Sequence, residues 1–114
     1  MLRVTLFALL LFAGCSQGPD ADLPSISEAR SLAAEWALVN GQAAQGHLTE
    51  TYTHTMRQQL REQLRITASS LSKPNSSYGD EIRALLALPD EANPDALKRH
   101  SDKLKRIEES LESA

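Results

Sequence analysis

The sequence predicts an all-α fold: a small three- to four-helix bundle built on an antiparallel helical hairpin, preceded by a cleaved leader. Three observations carry this. Apolar residues recur at three-four spacing in the segments after residue 25, the mark of helices with one buried face. Helix-start chemistry stands before each of them: Ser27, Thr49, Ser76 or Ser77, and Asn93-Pro94-Asp95. Only one stretch reads as strand, and a lone strand has nothing to pair with.

The first helix is expected from Ser27 as N-cap, with Glu28 placing negative charge in the first turn. Ala29, Leu32, Ala33, Trp36, Val39 and Ala43 form its inner face, and Gly46 is its stop. Gly41 is a weak point within it. The ambiguous stretch is 49–55, where threonines alternate with Glu50, Tyr52 and His54 in strand-like period two. It still reads as helix, with Thr49 as cap and Leu48 as a hydrophobic staple. This second helix runs to about Leu71, with Tyr52, Met56, Leu60, Leu64, Thr67 and Leu71 inward. A short third helix packs Ile82, Leu85 and Leu86 and ends before Pro89. The fourth starts with proline at its first position and buries Leu97, Leu104, Ile107 and Leu111. Its basic residues, Lys98, Arg99, Lys103, Lys105 and Arg106, lie mid-helix. Glu108, Glu109 and Glu112 oppose the dipole at its C-terminus, so its last turn should fray. The short connection between the first two helices makes them antiparallel, and the other two close over their apolar face.

Before this domain, Met1-Leu2-Arg3 gives a positive start and Val4–Ala13 carries no charge. That is the n-region and h-region of a secretory signal peptide, and it stops well short of the roughly 20 apolar residues a spanning helix needs. The small residues Ala13 and Gly14 run into Cys15, the only cysteine. Leu11-Phe12-Ala13-Gly14-Cys15 resembles the lipobox of bacterial lipoproteins. Phe12 stands where the usual pattern has leucine, and Leu11 lies one position further out. The resemblance covers residues 1–16. It implies cleavage between Gly14 and Cys15, a diacylglycerol on the Cys15 sulfur and often an acylated new amino terminus. Ser16 in place of aspartate implies passage to the outer membrane in enteric-type bacteria. Two or more acyl chains make a stable anchor where one does not. The expected organisation is a signal peptide over 1–14, lipidated Cys15 with a short tether over 15–24, and a helical domain over 25–114.

Composition bounds the rest. The chain has 114 residues and a formal net charge of −3, which gives no electrostatic case for nucleic-acid binding. Both phenylalanines, Phe7 and Phe12, fall in the leader, so the domain core is aliphatic with Trp36 as its large residue. Such a small domain is expected to be modestly stable or helped by a partner. The three histidines share no metal spacing, no nucleophile elbow occurs, and the glycines are dispersed. The expectation is no enzyme, no cofactor and no metal. The feature nearest to a site is Arg57, Arg61 and Arg65 at i, i+4 and i+8, one stripe beside the Leu60–Leu64 row. It suits anionic lipid head groups, a cell-wall polymer or an acidic partner helix, but such stripes are more often an ordinary solvated face whose arginine stems cover apolar surface. Trp36 is a second interface candidate, with a core role favoured by its place in the apolar row.

These features favour a membrane-anchored interaction or structural module of the bacterial envelope, contacting the bilayer through acylated Cys15 and either an envelope protein or a second copy of itself. The competing readings are an exclusion or protective lipoprotein of a mobile element and a periplasmic ligand-binding protein. Covalent wall linkage is disfavoured, since Pro74 and Pro89 break the heptads and the chain ends Glu-Ser-Ala.

Overall fold

The computed structural model describes residues 19–113, all of whose regular elements are helical. The expected leader and Cys15 lie outside the described residues. A 3₁₀ turn at Pro19–Asp22 leads into α1 (Leu23–Ala44), followed by α2 (Glu50–Ser69), α3 (Ser77–Leu86) and α4 (Pro94–Glu112). The chain folds as the small helical bundle its periodicity predicts.

Helix α1 is the central element. α4 lies antiparallel along one flank, in the most extensive packing of the fold, and α2 lies antiparallel along the other. Ile26, Ala29, Leu32, Ala33, Trp36, Ala37 and Val39 are buried on α1, and they meet Leu60, Leu64, Ile82, Leu85, Leu97 and Leu104 from the other three helices. Burial of these side chains, each worth about 1.5–3 kcal/mol for the larger aliphatics, is the main stabilising term.

Local chemistry sets most boundaries. The Thr49 side chain accepts from the Tyr52 N–H at 3.1 Å, Ser76 from Gly79 at 3.1 Å and Asn93 from Asp95 at 2.8 Å. α1 ends in a Schellman turn: His47 N–H donates to Gln42 O and Gly46 N–H to Ala43 O, both at 3.0 Å. Gly46 takes φ +74°, the left-handed conformation glycine adopts without penalty.

Four details depart from the sequence reading. α1 starts at Leu23 rather than after a Ser27 cap, so residues 19–24 of the expected 15–24 tether belong to the folded body. Proline near a helix start sacrifices no needed N–H, and Asp22 is held from elsewhere in the chain. Tyr52 is 52% exposed, and the neighbouring Thr53 is buried instead, its hydroxyl donating to Thr49 O at 2.8 Å. α2 stops at Ser69 rather than near Leu71. α4 runs regularly to Glu112, because Glu108 is tied to Arg30 at 2.9 Å and does not face the helix terminus alone.

Candidate functional site

The two edges of α2 present opposite chemistry. On one edge the expected basic stripe is largely occupied within the fold. Arg57 Nε donates to Asn40 Oδ1 at 2.8 Å. Arg61 donates to the carbonyls of Leu86, the last residue of α3, at 3.0 Å and of Leu88, just past it, at 2.6 Å. Its guanidinium also stands 5.3 Å from the centre of the Trp36 ring and 3.4 Å from the Asp90 carboxylate. A guanidinium there satisfies carbonyls that the helix leaves free and stacks on the indole face. Arg65 remains outward, 57% exposed, and pairs with Glu62 one turn back. The stripe therefore divides: Arg61 holds the α3–α4 connection, Arg57 holds Asn40 of α1, and Arg65 faces solvent.

That connection is a hub. Trp36 Nε1 donates to Asp90 O at 3.0 Å, and Asn40 Nδ2 donates to Asp90 O at 3.0 Å and Ala92 O at 2.8 Å. Trp36 is fully buried, so its role is in the core.

On the other edge, α1 and α2 leave a groove of about 650 Å³. Its floor is Leu32, Met56 and Leu60; Gln59, Gln63 and Ser31 line its walls. Glu28, Glu35 and Glu62 make its rim acidic. Glu28 and Glu35 form no ion pair among the described residues. An apolar floor below amide and carboxylate walls is chemistry for binding a basic, apolar-faced segment, with side-chain amides supplying directional hydrogen bonds.

Two polar clusters had no sequence signal. Asp22 is 2% exposed and accepts three hydrogen bonds: from Ser72 N–H at 2.7 Å, Lys73 N–H at 3.0 Å and Tyr78 Oη at 2.6 Å. Burial alone would raise its pKa, but these donors outweigh burial and hold the carboxyl below its ordinary value. The Tyr78 phenol moves the other way, raised by burial and by the adjacent carboxylate. The second cluster joins α3 to α4: buried Glu81 contacts His100 Nδ1 and, at 3.2 Å, Lys103 Nζ.

His47 sits in the α1–α2 turn, bonded to Gln42 at 2.7 Å, and His54 is exposed on α2. The three histidines stay apart, and among the described residues no three His, Cys, Asp or Glu side chains converge as a metal site would require. Ser101, beside His100, donates its hydroxyl to Arg30 O at 2.9 Å. Among the described residues no helix is long and apolar enough to cross a membrane. No family model, curated protein or solved structure matches the chain.

Proposed function

We propose that this protein is a lipid-anchored helical module of the bacterial envelope that docks a basic, apolar-faced segment of an envelope protein in the α1–α2 groove. The observation that carries the anchor is the run Leu11–Cys15 behind an uncharged leader. With such an anchor the groove would stay near the bilayer surface, since residue 22 is already fixed in the domain only seven positions past Cys15. The docking half rests on the acidic rim and apolar floor between α1 and α2. This replaces the arginine stripe as the partner face, since Arg57 and Arg61 are engaged inside the fold.

Two measurements test the halves separately. Intact mass of the membrane-extracted protein should show loss of residues 1–14 and addition of acyl chains. Cys15→Ala should block that processing, and a fully processed, membrane-retained Cys15→Ala protein would overturn the anchor. For the groove, a partner captured from native membranes under mild detergent should be lost with the double variant Glu28→Lys/Glu35→Lys and retained with Arg65→Glu. The opposite pattern would return the partner face to the basic edge.

A further inference from the structure

We propose that a second groove, between the first turn of α3 and the last turns of α4, seats anionic phospholipid head groups of the bilayer that carries the anchor. This inference rests on the proposed acylation of Cys15.

The point where the chain leaves the domain sets the groove's position. Asp22 is latched to Ser72, Lys73 and Tyr78, which fixes where the chain leaves the domain. Seven positions separate Asp22 from Cys15, a reach of at most about 25 Å even fully extended. The end of the bundle nearest the bilayer is therefore the one where the α2–α3 connection, the start of α3 and the end of α4 meet. A groove of about 390 Å³ opens there, bounded by Ser77, next to the latching Tyr78, and by Lys103, Arg106, Ile107, Ser110 and Leu111 of α4.

The groove's lining has the chemistry of a phosphate site. Lys103 and Arg106, with two hydroxyls, face a phosphate; Ile107 and Leu111, both half-buried, meet the glycerol backbone below it. Glu81 draws on Lys103 at 3.2 Å, while Arg106 makes no ion pair among the described residues although Asp102 and Glu109 stand one turn to either side. Arg106 is thus the cation most available to an external anion.

The test uses the full chain, extracted from membranes and reconstituted in phosphatidylcholine vesicles with or without phosphatidylglycerol. A fluorophore is placed on Ser113→Cys, exposed at the end of α4 outside the groove lining, or, as reference, on Ala34→Cys, an exposed position on α1. Head-group spin-labelled lipid should quench the position-113 probe more than the position-34 probe, and only when phosphatidylglycerol is present. Arg106→Gln should reduce that excess about fivefold, the contribution of one basic residue near an anionic surface. Lys103→Gln should reduce it less, because Glu81 shares that charge. Circular dichroism melts confirm that both variants fold. Equal quenching at the two positions, or an excess indifferent to phosphatidylglycerol or to Arg106→Gln, overturns the proposal. Intact mass of the same sample reads the anchor independently. If acyl chains are missing, sedimentation with the vesicles decides the groove alone: binding that needs phosphatidylglycerol and Arg106 upholds it, and no binding overturns it.

Discussion

The two edges of α2 carry different side chains and end in opposite situations. One edge has Arg57 and Arg61, and both guanidiniums are tied into the fold through Asn40, Leu86, Leu88, Asp90 and the Trp36 ring. The other has Met56, Gln59 and Gln63, and it is the one left open. The conspicuous charges are thus the committed ones, and the quieter amide row is free. A cation at the margin of a core is readily recruited, because carbonyls just past a helix end need donors and an indole face attracts a guanidinium. Charge counted along a helix therefore does not measure charge offered to a partner.

The largest way to break the closed side is Trp36→Ala. It empties a fully buried position, leaves the Asp90 carbonyl short of one donor and removes the ring under Arg61. The expected loss is about 3–5 kcal/mol by urea denaturation, a large part of the stability of so small a domain. A loss below about 1 kcal/mol would mean the indole is not part of the core.

Asp22→Ala comes next. It strands three donors at a buried point, for an expected loss of about 2–3 kcal/mol. The same latch predicts a pH dependence. The folded-state pKa of Asp22 is depressed, so its contribution is present above the unfolded carboxyl value and is lost as pH falls through the folded value. Tyr78 is raised, so its contribution is present below the ordinary phenol value and is lost as pH rises through the folded one. Stability of Asp22→Ala measured against pH should be flatter than the parent at the acid end. Parallel acid limbs would show that Asp22 is not the group responsible.

Two arginines on either side of the stripe's division, Arg61 and Arg65, sharpen the contrast. Arg61→Ala should cost about 2 kcal/mol through the two carbonyls left without their charged donor. Arg65→Ala should change stability by no more than about 0.5 kcal/mol, since its partner Glu62 is itself exposed. Equal effects at the two positions would mean that Arg61 is no more committed to the fold than Arg65.

A last pair of variants concerns glycines. Gly41 lies within α1 with open space where a Cβ would be, so Gly41→Ala should stabilise by about 0.5–1 kcal/mol. At Gly79 a Cβ would collide with the Pro74 carbonyl at the turn into α3, so Gly79→Ala should destabilise. Thermal melts of the pair check both signs.

Much of the fold was legible because its causes are local. Thr49, Ser76 and Asn93 cap helices through bonds to residues two or three positions on, and Gly46 ends α1 through its own backbone freedom. Of the period-two threonines, Thr49 caps α2 and Thr51, Thr53 and Thr55 are helical, because a lone strand would find no partner and Thr53 satisfies its hydroxyl on the preceding turn. The candidate sites were not legible. Asp22 meets Ser72 across 50 positions and Arg61 meets Leu88 across 27. No periodicity relates such residues. The groove is likewise set by α4 and α3 covering the other sides of α1 and α2, so Tyr52, inward by spacing, stays exposed beside the edge that nothing covers.

Taken alone, the amino-acid sequence determined that the domain is helical, where its helices begin and end to within a few residues, and which apolar row each one buries. Those outcomes follow from spacing and capping within a turn or two of chain. Only the tertiary structure decided which polar side chains were drawn inward, where the first helix truly starts and which face was left open. Each of these depends on a carbonyl, carboxylate or ring delivered from a distant segment, and such partners exist only once the helices have packed.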